Sequence, residues 1–190
     1  MSLLELIAAA DERGLAASGA ACLDRCLPLR ADDADPDPLR PLWAGCADAT
    51  AWPERLAEAR AALDALPGPE VTVGRIRQLL GEAPADRAGK EELRAWADAC
   101  SVLALEVHLG HDFARDDAKE LVGRCRAGDP QGAGPLLSGE RARQIRILEM
   151  LAEISDDAPT GAGLRQVMDV STEGQRVLRA AVSRRARVRG

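Results

Sequence analysis

Lys90-Glu-Glu-Leu-Arg-Ala-Trp-Ala-Asp-Ala-Cys-Ser-Val-Leu-Ala-Leu-Glu-Val107 is the stretch whose reading decides the fold. Its apolar residues Leu93, Trp96, Ala97, Cys100, Leu103, Ala104 and Val107 recur at intervals of three and four. That spacing lines one face of an α-helix and predicts a buried stripe.

The same periodicity extends in both directions. Upstream, Leu3, Leu4 and Ile7 start a short helix that Gly14 should end, and Leu15 to Leu27 reads as a second, closed by Pro28. Arg30 to Pro38 is a loop, because prolines and clustered acids exclude regular structure. Short helical signals follow from Leu42 to Ala49 and from Pro53 to Leu66, with Pro53 suited to a first turn. Val71-Thr-Val73 is the one β-like run and has no partner strand, so Thr72 is expected to cap a helix through Ile76, Leu79 and Leu80. Downstream, Gly110 is expected to weaken the central helix before another runs from Phe113 to Cys125. Gly128 to Pro135 is a loop, Ser138 caps a helix through Ile154, and Leu164 to Val188 forms the last helical region, bent near Ser171 or Gly174.

These signals predict an all-α protein, an irregular bundle of about seven to nine helices with no significant sheet. Residue usage agrees: hydrophobic residues make up 46% of the chain but aromatic residues only 2%, a Leu/Ala/Val core suited to close helix packing rather than to strands. The 190 residues fit one domain, 1–190. The loop 127–136 is the candidate sub-boundary, with basic C-terminal helices over 138–188 beyond it.

Charge is unevenly spread. Residues 171–190 hold six arginines and one glutamate, so with a total of −6 the remainder carries −11. An acidic body disfavours nonspecific nucleic-acid binding, while the basic end permits it locally. No run approaches the roughly 18 apolar residues of a membrane span, and no basic leader precedes the first apolar run. Five cysteines, an odd number, suggest reduced thiols and a cytoplasmic location.

The densest local chemistry is Glu106-Val-His108-Leu-Gly-His111-Asp112. On a continuous helix, His108, His111 and Asp112 share a face and, with Cys100 about two to three turns earlier, form a candidate transition-metal set. The plainer reading is that both histidines extend the apolar stripe as hydrogen-bonded, partly buried residues. Cys22 and Cys26 share a helical face, but no two-residue cysteine spacing typical of zinc or redox motifs occurs, and packing explains them more simply. Asp33, Asp35 and Asp37 fall at positions 1, 3 and 5 of a calcium loop, yet Pro38 and Ala44 stand where Gly and Glu are needed. Asp112, Asp116 and Asp117 read as a charged outer face. No nucleotide-cofactor signature is present, since the glycine pairs lack a preceding strand and a third glycine.

Ile145 to Ile154 followed by residues 161–179, Gly-Ala-Gly-Leu-Arg-Gln-Val-Met-Asp-Val-Ser-Thr-Glu-Gly-Gln-Arg-Val-Leu-Arg, resemble a helix-turn-helix, with Leu164, Met168, Val170 and Leu178 where such a motif places core residues. The resemblance implies a turn at Asp169-Val170-Ser171 and phosphate contacts from Arg176, Arg179 and Arg184. Two positions depart from that pattern, Arg165 and Gln175. The simpler reading is an amphipathic terminal helix whose arginine face meets solvent or an acidic partner.

Three function classes follow. A helical interaction or regulatory module, with a protein partner or self-association, requires no catalytic machinery and stands first. A metal-binding protein or small metalloenzyme centred on His108 and His111 is the second. A DNA-binding regulator using the basic C-terminal helices is the third. A membrane partner is not expected.

Overall fold

The computed structural model describes residues 1–27, 37–66, 71–112, 116–154 and 160–189. They form helices α1 (Leu3–Ala9), α2 (Glu12–Cys26), α3 (Arg40–Ala47), α4 (Trp52–Asp64), α5 (Val71–Glu82), α6 (Lys90–Asp112), α7 (Ala118–Ala127), α8 (Pro135–Glu153) and α9 (Thr160–Arg189), with a 3-10 turn at Ala49–Ala51. No β-strand occurs among the described residues, so the fold is the expected all-α bundle. No described helix is long and apolar enough to cross a membrane.

Helix α6 is the central element and packs most extensively on α2, with α8, α5 and α7 around it. Its stripe residues Leu93, Trp96, Ala97, Cys100, Leu103 and Ala104 are buried as the periodicity requires, and Val107 is partly buried against the core. Helix α2 is buried along almost its whole length, and small residues make this possible. A Cβ on Gly19 would stand 2.5 Å from Cζ3 of Trp96, so only glycine lets α2 lie against that indole. Trp96 in turn meets Trp52 edge to face at 5.9 Å. Each ring N–H finds a carbonyl, Leu79 O at 2.8 Å for Trp96 and Pro84 O at 2.9 Å for Trp52. Burying both indoles therefore leaves neither donor unsatisfied.

Arginine has a second structural use here. The last carbonyls of any helix lack partners and carry the negative end of its dipole. Arg77 donates to Leu63 O and Leu66 O at the end of α4, and Arg60 donates to Leu80 O, Gly81 O and Ala83 O at the end of α5. The two helices thus cap each other. Arg87 caps α3 through Gly45 O and Cys46 O, Arg141 caps α7 through Cys125 O, and Arg185 caps α6 through Gly110 O.

Several boundaries differ from expectation. The first break falls at Ala10–Asp11, because the Asp11 carboxylate accepts from Gly14 N at 2.6 Å and starts α2 there. Thr72 lies inside α5, which begins at Val71. Gly110 does not interrupt α6. Helix α8 begins at Pro135, not Ser138: its N-cap residue is Gly134, and the missing cap is supplied from α6 by Asp112, which accepts from Leu136 N at 2.9 Å and Leu137 N at 2.8 Å. Asp112 therefore belongs to a helix junction instead of an outer charged face. Helix α7 is described from Ala118, and Phe113 lies outside the described residues. Finally, α9 is one continuous helix, so Asp169–Val170–Ser171 makes no turn and the helix-turn-helix resemblance fails at its defining feature. The stripe Leu164, Val167, Val170, Leu178 and Ala181 runs through Ser171 and Gly174 unbroken because both are small enough to lie against α2.

Candidate functional site

A connected set of buried polar side chains lies where α2, α6 and α8 meet. Arg25 enters from α2 between Cys22 and Cys26 and is wholly buried. Its Nε donates to Glu140 Oε2 at 2.9 Å and its Nη2 to Glu140 Oε1 at 2.8 Å, a two-point grip on a carboxylate that is itself wholly buried. Gln144, one turn along α8, donates to Glu140 Oε1 at 2.9 Å and accepts from Ser101 Oγ at 2.7 Å. Burial pushes the Glu140 carboxyl up, but Arg25 and His108 more than offset it and hold the group below its ordinary range. Arg25 stays protonated, since Glu140 outweighs its desolvation.

His108 completes the cluster from α6. Its Nδ1 lies 2.8 Å from Ala104 O, which can only accept, so Nδ1 carries the proton. Nε2 then faces Glu140 Oε2 at 3.7 Å without a hydrogen-bond partner. Burial lowers the histidine's proton affinity, with Glu140 opposing. Burial thus favours the neutral imidazole, which is packed into the core. Beside the cluster a void of about 10 Å³, lined by Ser18, Cys22, Arg25, Ser101 and Gln144 among others, is about the size of one water.

A second buried cluster ties α2 to α9. Asp24 Oδ2 accepts from Ser171 Oγ at 2.5 Å, and Asp24 Oδ1 and O accept from Gln175 Nε2, both at 2.9 Å. A Cβ on Gly174 would meet Arg25 Cγ at 3.0 Å and Arg143 Cδ at 3.2 Å, so glycine at this turn lets α9 close over the Arg25 stem.

The four residues nominated as metal ligands are separated by these arrangements. His108 faces Glu140, Asp112 caps α8, Cys100 is buried in the α2–α6 contact, and His111 lies at the end of α6 under the influence of Arg185. Among the described residues no group of three or more His, Cys, Asp or Glu side chains is placed to share a metal ion. All five cysteines are free and buried. Burial pushes the Cys22 and Cys46 thiols up to about 12 and raises Cys26, Cys100 and Cys125, so none is poised as a thiolate nucleophile. In the acidic loop, Asp37 accepts from Leu39 N at 2.9 Å, while Asp32, Asp33 and Asp35 lie outside the described residues.

Arg176, Arg179 and Arg184 are exposed, as are Arg165 and Arg187 on the same side of α9. At 100° per residue these five span less than half the helix circumference, opposite the Leu164–Leu178 stripe. None makes an ion pair with a described residue, in contrast to the buried and capping arginines elsewhere.

Residue spacing did carry a signal for the interior cluster. Glu140 and Gln144 occupy stripe positions of α8 among Leu137, Ile147, Leu148 and Leu151, and a charged residue in a stripe requires a partner. Which partner it takes is a tertiary fact. The chain matches no protein-family model, no curated protein and no solved structure.

Proposed function

We propose that the chain is a non-catalytic helical interaction module that docks an acidic segment of a partner protein on the arginine face of α9. One observation carries this reading: Arg165, Arg176, Arg179, Arg184 and Arg187 are exposed on one side of a continuous helix with no ion-pair partner among the described residues. Exposed Asp169 and Glu173 fall within the same arc, but five arginines against two carboxylates leave the face net positive, and net charge steers an oppositely charged surface. The interior titratable groups point the same way, being committed to one another. A protein partner is favoured over a nucleic acid because α9 runs without the turn that a helix-turn-helix reader of DNA needs.

Poly-L-glutamate is a suitable probe, titrated into the full chain and into the variant Arg176→Gln/Arg179→Gln/Arg184→Gln/Arg187→Gln, with a DNA duplex in parallel. Four exposed pairs at a few tenths of a kcal/mol each correspond to a loss of roughly tenfold in affinity for the variant. Equal binding by both proteins removes the reading. Tighter binding of the duplex than of poly-L-glutamate replaces it with a nucleic-acid partner.

A further inference from the structure

The C-terminal end of α6 is where the chain's two histidines, its longest buried helix and the arginine-bearing end of α9 come together. Helix α9 is anchored over roughly its first two-thirds, through Leu164, Val167, Ser171, Gln175 and Leu178. From Val182 onward its described side chains are exposed, save Arg185 at intermediate burial. Arg185 ties this stretch to the bundle: its Nη1 donates to Gly110 O at 2.6 Å. The bond places a cation on a carbonyl of α6's last turn, which favours positive charge. His111 is the next residue along α6. Its Nδ1 is shielded from solvent and has no hydrogen-bond partner.

Only one cation fits this end comfortably. A protonated His111 would be drawn to the same helix terminus and would stand beside the Arg185 guanidinium, at an intermediate burial that weakens screening. The charged groups acting on His111 are Arg185 from α9, which disfavours its proton, and from its own helix His108, which also disfavours it, and Asp112, which favours it; burial contributes most and in the same direction as Arg185. Helix α8 reaches this junction through Leu136 N and Leu137 N, which hold the Asp112 carboxylate and limit what it can give His111.

We propose that Arg185 and His111 form a proton-operated latch on the arm of α9: with His111 neutral, Arg185 caps α6 and holds the arm against the bundle, and with His111 protonated the two cations compete for one helix end and the arm lifts. The inference rests on α9 as the docking element and adds its regulation. By linkage, an acidic partner that draws Arg185 away from His111 raises the affinity of His111 for a proton. Docking is then accompanied by proton uptake and tightens as pH falls through the His111 midpoint. His108, committed to Ala104 O and facing Glu140, makes no contact in the latch and acts on it only by disfavouring the His111 proton.

The test uses the full chain without any partner, so its outcome is independent of whether poly-L-glutamate binds. The His111 ring titration is followed by NMR in the wild type, in Arg185→Gln and in His111→Asn, alongside amide exchange over residues 182–189 corrected for intrinsic rates. The latch predicts a His111 midpoint higher by a few tenths of a pH unit in Arg185→Gln. It also predicts arm amides that lose protection as the wild type passes through that midpoint. In His111→Asn the arm should stay protected over the same range, and in Arg185→Gln it should be unprotected at every pH. An unchanged His111 midpoint in Arg185→Gln overturns the proposal, as does the same pH-dependent loss of protection in His111→Asn.

Discussion

Arg25 and Glu140 lie 115 residues apart in sequence and meet as a two-point ion pair with neither side chain exposed. Two charges removed from water are tolerable only together, so deleting one leaves the other buried and unpaired. Glu140→Leu should therefore cost about 3–5 kcal/mol, measured by urea unfolding. The double change Arg25→Met/Glu140→Leu should recover most of that loss, because the lone charge is gone. A single substitution costing under about 1 kcal/mol would show that Arg25 finds another partner or water.

Asp24 predicts a pH dependence of definite sign. Burial, with Asp37 adding to it, raises its carboxyl to about 7, against Ser171 and Arg25, which oppose. An unfolded chain titrates this residue near 3.9 or so. The native state thus holds the proton more tightly. The stabilisation from this group is fully present below about pH 4 and is lost as pH rises through about 7. Asp24→Asn should remove that decline, so the difference in unfolding free energy between wild type and variant should change with pH across this window. A constant difference would contradict it. His108 acts in the opposite sense, since its proton affinity is lowered in the fold: its contribution is present above roughly 6.5 and is lost as pH falls below that value.

The α6–α8 junction depends on a residue with no side chain. A Cβ at Gly134 would stand 2.5 Å from Asp112 Oδ2, the carboxylate that caps α8. Gly134→Ala and Asp112→Ala should each cost about 1 kcal/mol or more, the usual penalty for losing an N-cap. Because they break the same contact, their effects should add to much less than the sum, which a double-mutant cycle reads directly. Full additivity would mean that the two positions act separately.

Reciprocal capping of α4 and α5 gives a fourth expectation. Arg77→Ala removes donors from Leu63 O and Leu66 O, and Arg60→Ala removes them from Leu80 O, Gly81 O and Ala83 O. Each should lower stability by about 1 kcal/mol and raise amide exchange in the last turn of the helix it caps, not the helix it belongs to. Exchange rising in the arginine's own helix instead would contradict the capping role.

How far the sequence disclosed this molecule varies by level. Periodicity sufficed for α6, α2 and the class of the fold, because burial of one face is a local pattern of apolar residues. It failed where a distant residue sets a boundary. Ser138 carried the local signal of a cap, but Asp112, 24 and 25 positions from the Leu136 and Leu137 amides it accepts from, moved the start of α8 to Pro135. Gly110 looked like a break, yet α6 continues through it to Asp112. Residues 169–171 suggested a turn through the helix-turn-helix resemblance, and Ser171 and Gly174 suggested a bend, but both small residues let α9 approach Asp24 and Arg25 on α2. His108 and His111 drew attention as a pair. Their environments diverge because one faces Glu140 on α8 and the other lies near Arg185 on α9, partners that no linear spacing specifies.

The docking claim is tested most directly by mapping amide and arginine side-chain NMR shifts of the full chain while poly-L-glutamate is added at low ionic strength. The account predicts that the largest changes fall on Arg176, Arg179, Arg184 and Arg187, and that they fade as salt is raised. Changes centred on another surface, or none at low ionic strength, would contradict it.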